Sequence, residues 1–182
     1  EYVNIFRGTN NTSGFSRGLT SPIVLLPHGF NMVTPVTENQ ASSHYRYQLA
    51  GNHTSLCHMT ITHIATNWGS SYGDWQFMAN TTLSPEDVTS AEPIGAEKRR
   101  ADFSHDNEVG RAHYYSVTFD EGSNASGVKI EVTPTEHAVL VRFTFPEGSE
   151  NRNIIFDDVF TSGQLTFDDD NKTFRAYTDH QS

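Results

Sequence analysis

The sequence predicts an all-β fold, a large antiparallel β-sandwich with at most one or two short helical turns. The chain has 12 Phe and 7 Tyr against 2 Trp, and this aromatic set, together with many threonines, favours pleated, half-buried surfaces over helices. Short segments alternate between apolar and polar residues, which is the period of a strand. Turn residues separate these segments at short intervals, so we expect roughly nine to twelve strands in one unit.

Length and charge limit the domain count and the partners. The 182 residues fit one domain, 1–182, which buries roughly 70% of its unfolded surface. We find no repeat, low-complexity tract or linker that would divide the chain. With 12 basic and 22 acidic residues and a net charge of -10, the chain has no basic stripe for nucleic acid and is repelled by anionic lipid. No apolar run of about 20 residues predicts a membrane span. Neutral or cationic partners are expected.

The first half predicts four strands around one loop. The apolar run 22–27 lies between two prolines and predicts a buried strand, while residues 28–37 read as a loop. Residues 45–49, 58–62 and 75–79 alternate and predict further strands.

One short helix is expected after these strands. Ser84 is a capping residue type, Pro85 follows at the first helical position, and Glu86 and Asp87 are acidic first-turn residues. Pro93 should end this helix early.

The second half predicts a polar loop followed by strands. Residues 103–108 read as the loop, and strands are predicted at 114–119, 130–136, 139–146, 153–157, 164–167 and 173–177. The last two strands form a hairpin across 168–172. Its three aspartates could suggest a calcium loop, but the spacing lacks the Gly and the distant Glu of an EF-hand, so turn residues are the stronger interpretation.

Cysteine usage and the first residue bear on the cellular compartment. Cys57 is the only cysteine, so it forms no internal disulfide and is predicted to be a small buried residue. The sequence starts at Glu1 without a methionine, which favours a processed or excised product. We therefore expect a secreted, periplasmic or cell-surface protein. Six Asn-x-Ser/Thr sequons matter only in a eukaryotic secretory host.

A series of landmarks follows one another along most of the chain. They are residues 1–9, 27–30, 45–47, 61–63, 72–75, 103–108, 114–115 and 142–146. In order and spacing, these landmarks resemble the N-terminal domain of glycoside hydrolase family 92, the calcium-dependent exo-acting α-mannosidases.

This resemblance implies a galactose-mutarotase-like supersandwich packed against a C-terminal (α/α)6 barrel that acts on α-mannoside glycans of the N-glycan type. The barrel would carry the general acid, the general base and the Ca2+ ligands, so no catalytic residue and no metal ligand is assigned to this chain. Inverting hydrolysis needs two carboxyl groups about 6.5–9.5 Å apart across the sugar ring. The sandwich would supply loops to the sugar pocket.

Three departures from the family pattern indicate a divergent subgroup. Residues 19–24 replace the usual stretch before the proline loop, and His113 and His137 stand where Gly and Arg are common. The family's sandwich usually continues with further strands, so one sheet edge is expected to be left unpaired here.

The first candidate sugar site is the loop 67–74. Trp68 would stack on the apolar face of a sugar, Asp74 would accept from hydroxyls, and Asn67 and Tyr72 lie in the same loop. In the alternative interpretation, Trp68 packs inside the sandwich and Asp74 caps the turn.

A second group of candidates is His28, His63, His105 and Glu108. A neutral histidine donates and accepts hydrogen bonds, which suits a sugar hydroxyl. His105 and Glu108 could instead form a local structural pair. A metal site from His58 and His63 is not expected, because five residues along a strand place them on opposite faces.

Three functions from different classes stay open. The leading one is the pocket-completing N-terminal domain of an α-mannosidase, inactive alone. The second is a stand-alone carbohydrate-binding sandwich with exposed aromatic residues. The third is a structural or adhesive β-domain that binds no sugar, which the ordered landmarks disfavour.

Overall fold

A computed structural model defines the fold and describes residues 3–9, 20–37, 47, 53–62, 75–89, 94–158 and 164–177. Eleven strands and two short helices lie in these ranges. They are β1 (Met32–Val36), β2 (Ser55–Leu56), β3 (His58–Thr62), β4 (Trp75–Asn80), α1 (Pro85–Thr89), α2 (Ala96–Arg99), β5 (Ala101–Arg111), β6 (Tyr114–Phe119), β7 (Lys129–Pro134), β8 (Val139–Thr144), β9 (Asn153–Asp158), β10 (Gln164–Asp168) and β11 (Thr173–Tyr177).

The strands form two main antiparallel sheets and a hairpin. One sheet has the order β1-β3-β4-β9, the other has the order β2-β5-β6-β7-β8, and β10 pairs with β11. The pairing is antiparallel at each of these ladders. The all-β sandwich prediction is therefore confirmed.

The core lies between the sheets because alternate residues of each strand point inward. Ile130 and Val132 of β7 are buried, whereas Glu131 between them lies on the outer face. Phe77 of β4 meets Phe143 of β8 edge to face, with ring centroids 6.0 Å apart. This contact joins the two sheets across the core.

The segment before residue 10 packs directly on β5. An added Cβ at Gly110 would lie 2.5 Å from the Phe6 ring and 2.7 Å from Ile5 Cγ1. Glycine is therefore required at this position for close approach, and Phe6 lies against β5 near the end where it turns into β6.

The predicted helix start at Ser84 is confirmed. The Asp87 amide donates to Ser84 Oγ at 3.2 Å, and the Ser84 amide donates to Asp87 Oδ2 at 3.1 Å. This reciprocal pair satisfies backbone donors that the helix cannot satisfy itself. Pro93, predicted to end the helix, lies outside the described residues.

The loop predicted at 28–37 is wrong for half of its length, because β1 occupies Met32–Val36. Pro35 lacks a backbone donor and is disfavoured inside a central strand. β1 is an edge strand that pairs only with β3 among the sheet's described strands, and proline is tolerated at such an edge.

The polar loop predicted at 103–108 is also wrong, because these residues lie inside β5. The register of β5 against β6 shifts between Phe103 and Glu108. Such a bulge tolerates polar residues in a strand and redirects their side chains. Likewise, residues 22–27 form only an isolated bridge, Val24 to Val33, instead of a strand.

The other predicted strands are present where the structure describes them. Strand 45–49 falls outside the described residues except for Tyr47. Cys57 is buried, as predicted. Neither of the two described helices has the length and apolar character to cross a membrane.

Candidate functional site

The most elaborate polar site is a buried cluster on β5 and β6. The β5 bulge places His105 and Glu108 side by side, and Tyr115 of β6 and Tyr47 complete the group. The Glu108 side chain is 1% exposed. A carboxylate in this position requires several hydrogen-bond donors.

Glu108 finds these donors on both of its oxygens. Tyr115 donates to Oε2 at 2.8 Å, while Tyr47 donates to Oε1. Oε1 also lies 2.5 Å from His105 Nδ1. The carboxylate thus links strands β5 and β6 to Tyr47.

The two tyrosines are held in their protonated forms. Burial raises the pKa of Tyr47, and the neighbouring Glu108 carboxylate raises it further. The same two causes raise the pKa of Tyr115 well above its ordinary value. Both phenols therefore act as permanent donors to Glu108 at neutral pH.

The cluster is enclosed by aromatic rings. Phe6 stacks on Tyr47 at 5.7 Å and meets Tyr115 edge to face at 6.4 Å. His105 Nε2 is buried and has no hydrogen-bond partner in the described part of the chain. The local pair that the sequence left open for His105 and Glu108 is present, and their contact with a sugar stays a prediction.

His28 lies apart from this cluster in the contacts that the structure describes. It is exposed in the turn after Pro27, with φ of 64°. The turn is anchored by the Gly29 amide, which donates to the Leu26 carbonyl at 2.9 Å. His28 is accessible to a ligand.

Five predicted site residues lie outside the described residues: Trp68, Asp74, Asn67, Tyr72 and His63. The described residues that flank them, Thr62 and Trp75, lie at the same end of the sheet as Met32. Trp75 stacks on Phe156 with centroids 5.3 Å apart. The binding role of the loop 67–74 stays a prediction.

Sequence reasoning missed the partners of the buried pair. Tyr115 was visible as one of two adjacent tyrosines, and Tyr47 as part of an alternating strand. Neither pattern indicates which side chain will reach Glu108. Their convergence depends on the bulge and on the packing of Phe6 over Gly110.

An open surface pocket of about 530 Å³ lies along β7 and β8. Glu131 accepts from Tyr114 at 2.7 Å, from Arg142 Nε at 2.6 Å and from Lys129 at 3.2 Å. The Arg142 guanidinium is the main cause that holds the pKa of Glu131 at about 2. The Glu131 carboxylate thus accepts hydrogen bonds from β6, β7 and β8 on the outer face of the sheet.

The described residues provide no fitting calcium site. No group of three or more His, Cys, Asp or Glu side chains converges among them. In the hairpin turn, Asp168 instead accepts from the Asn171 amide at 3.1 Å and from Asn171 Nδ2 at 2.9 Å. This geometry supports the turn interpretation of the aspartates.

Comparison with protein families gives one match over nearly the whole chain. Residues 2–182 match the glycosyl hydrolase family 92 N-terminal domain. Comparison with curated proteins finds no significant match.

Solved structures with the same fold include several from this family. The inverting mannosidase BT2199 from Bacteroides thetaiotaomicron has a TM-score of 0.74 at 22% identity, over 100% of this chain and 22% of its own. The α-mannosidase BT3965 from the same organism has a TM-score of 0.61 at 28% identity, over 86% of this chain and 19% of its own. The chain thus spans about a fifth of these relatives' length.

Proposed function

Because the chain belongs to glycosyl hydrolase family 92 as its N-terminal domain, we propose that it completes the sugar pocket of a longer α-mannosidase. The observation that carries the proposal is the family match over residues 2–182. The similar solved structures named as mannosidases support the choice of substrate. In this proposal the chain binds and orients mannose, while a C-terminal (α/α)6 domain supplies the catalytic groups.

The proposed reaction is inverting hydrolysis of α-mannosides. It needs a carboxylic acid at the leaving oxygen and a carboxylate that activates water on the opposite face of the ring. We assign both to the parent enzyme's helical domain. Calcium would serve there as an oxygen-binding cation for sugar hydroxyls, and no step of the proposal uses a metal held by this chain.

The contribution of this chain would come from loops at the Met32 end of the sandwich. Thr62 and Trp75, the described residues on either side of the segment 63–74, both lie at this end. Trp68 would stack on the sugar and Asp74 would accept from its hydroxyls. Because these contacts orient the substrate without taking part in proton transfer, their loss should lower kcat/KM without abolishing turnover.

The experiment that tests this proposal compares the full-length parent enzyme with two separate variants, Trp68→Ala and Asp74→Asn. We expect kcat/KM for an α-linked mannobiose to fall about 10–100-fold in each variant, the equivalent of roughly 1.4–2.8 kcal/mol of binding to the transition state. Phe167→Ala is the matched control, since Phe167 is an exposed ring on the β10–β11 hairpin. Unchanged kinetics in both loop variants would contradict the assignment of the pocket.

Two further measurements address the mechanism. The parent enzyme should release β-mannose first, which proton NMR of the anomeric signals detects directly. Chelation should remove activity, and added Ca2+ should restore it. Initial release of α-mannose, or full activity after exhaustive chelation, would refute the corresponding part of the proposal.

A further inference from the structure

The described surface carries an exposed aromatic pair that the predicted pocket does not include. Phe30 is 60% exposed. Its ring stacks on the exposed His137 imidazole, with centroids 4.9 Å apart and planes 16° from parallel. Each ring therefore keeps one flat face turned away from the other. We call this pair the Phe30–His137 platform.

The backbone holds both rings of the platform in place. The Phe30 amide donates to the Glu136 carbonyl at 2.8 Å, which ties the turn after His28 to the β7–β8 turn. That turn is itself closed by the Thr135 amide, which donates to the Ala138 carbonyl at 2.7 Å. A binding group built on such fixed backbone loses little conformational entropy when a ligand stacks on it.

Polar groups suited to hydroxyls flank the platform along the chain. His28 and Glu136 are both exposed and lie within two residues of the stacked rings. An imidazole donates or accepts a hydrogen bond, and a carboxylate accepts one or two. An aromatic face with a few polar groups beside it matches a pyranose ring, which has an apolar C–H face and a rim of hydroxyls.

We propose that the Phe30–His137 platform binds a neutral pyranose unit of a glycan. The flat exposed rings carry the argument, and the net charge of -10 favours a neutral ligand over an acidic one. The choice of a sugar over other flat apolar ligands rests on the proposed function. Phe30 lies two residues before Met32, at the end of the sheet where Thr62 and Trp75 flank the predicted pocket. The platform would thus hold a sugar unit beyond the one that is cleaved.

The other exposed phenylalanines do not offer the same geometry. Phe167 and Phe174 lie 6.1 Å apart with planes tilted by 44°, and Phe174 also packs on Phe156. Phe167 is 69% exposed against 60% for Phe30, so Phe167→Ala removes at least as much exposed ring as Phe30→Ala does. It is therefore a matched control.

The test is an NMR titration of this chain, uniformly labelled with nitrogen-15, with an α-linked mannobiose as the probe. We expect the amide signals of Phe30, Glu136 and His137 to shift with a millimolar dissociation constant. Phe30→Ala should weaken binding at these residues about tenfold, which corresponds to about 1.4 kcal/mol. Phe30→Leu, which keeps the apolar bulk but loses the flat ring, should weaken binding similarly. Phe167→Ala should leave it unchanged.

The outcomes separate the platform from the predicted pocket. Shifts at the platform that Phe30→Leu removes would support the platform, even if the segment 63–74 does not respond. Shifts confined to 63–74 would overturn the platform and leave the proposed function standing. An equal loss of binding in Phe30→Leu and Phe167→Ala, or no shift at the platform up to the solubility of the probe, would also overturn it. Thermal unfolding of each variant establishes that it is folded.

Discussion

At the residue scale, Glu108 shows how one buried carboxylate fixes several side chains. It accepts from Tyr47 and Tyr115 and contacts His105. Leaving a buried acceptor without its donor costs more than the hydrogen bond gained on folding, because the group is cut off from water. The two tyrosine hydroxyls therefore stabilise the fold by donating hydrogen bonds to the buried Glu108 side chain.

Replacement of Tyr115 by Phe tests this role. The change removes the donor to Glu108 Oε2 and preserves the ring, so we expect the free energy of unfolding to fall by about 1–3 kcal/mol. Urea denaturation followed by circular dichroism measures it. Tyr177→Phe alters an exposed tyrosine and should change stability by less than about 0.5 kcal/mol. Equal stabilities of the two variants would refute the role of Glu108 as a buried acceptor.

The raised pKa values of Tyr47 and Tyr115 predict a loss of stability in alkali. In the unfolded chain both phenols have a pKa near the ordinary 10.0, whereas in the folded chain burial raises it. The stability that the protonated phenols contribute is thus fully present below about pH 10 and is lost as the pH rises above it. Urea midpoints measured between about pH 8 and 11 should decline, and less steeply in Tyr115→Phe. An identical decline in that variant would show that Tyr115 makes no contribution.

At the element scale, a charged pair between facing residues joins the outer face of β7 and β8. Glu131 and Arg142 are opposite each other in the register, and Tyr114 of β6 also reaches Glu131. Cross-strand pairs of opposite charge stabilise a sheet by modest amounts. In the described part of the sheet, β8 has β7 as its single partner strand. The network therefore also holds this edge strand to the rest of the sheet.

The low pKa of Glu131 predicts that its contribution is lost in acid. Its pKa is about 2 in the folded chain against an ordinary 4.5. The stability it contributes is present above about pH 4.5 and is lost as the pH falls towards 2. Glu131→Gln should reduce the acid dependence of the thermal unfolding midpoint in that window. Glu147→Gln, at an exposed position, should leave the dependence unchanged, and an identical pH profile for both variants would contradict the prediction.

At the scale of the whole molecule, the chain is a two-sheet sandwich, and the proposed function assigns catalysis to another domain of the parent enzyme. Inverting hydrolysis needs two carboxyl groups on opposite sides of the sugar ring, and the proposal gives both to that domain. It therefore predicts no turnover of 4-nitrophenyl α-mannoside by this chain with calcium present. A rate above buffer that survives repurification would refute the assignment of catalysis to another domain.

Prediction from the sequence succeeded where local pattern decides structure. Alternation indicated β6 and the β10–β11 hairpin, and Ser84 with Pro85 indicated the start of α1. It failed where pairing overrides local preference. Residues 103–108 read as a loop, but pairing with β6 keeps them in a strand through a bulge, and an edge position accommodates Pro35 in β1.

The sequence by itself determined the all-β class, the spacing of most strands and the family, because residue type, spacing and landmark order are properties of the chain. It also indicated that His105 and Glu108 are neighbours. Only the tertiary structure decided that Tyr47 and Tyr115 complete their cluster and that Phe30 stacks on His137. Tyr47 lies 61 residues from Glu108, and Phe30 is also far from His137 in the sequence. All of these contacts depend on sheet register, a bulge and turn packing, which no local pattern encodes.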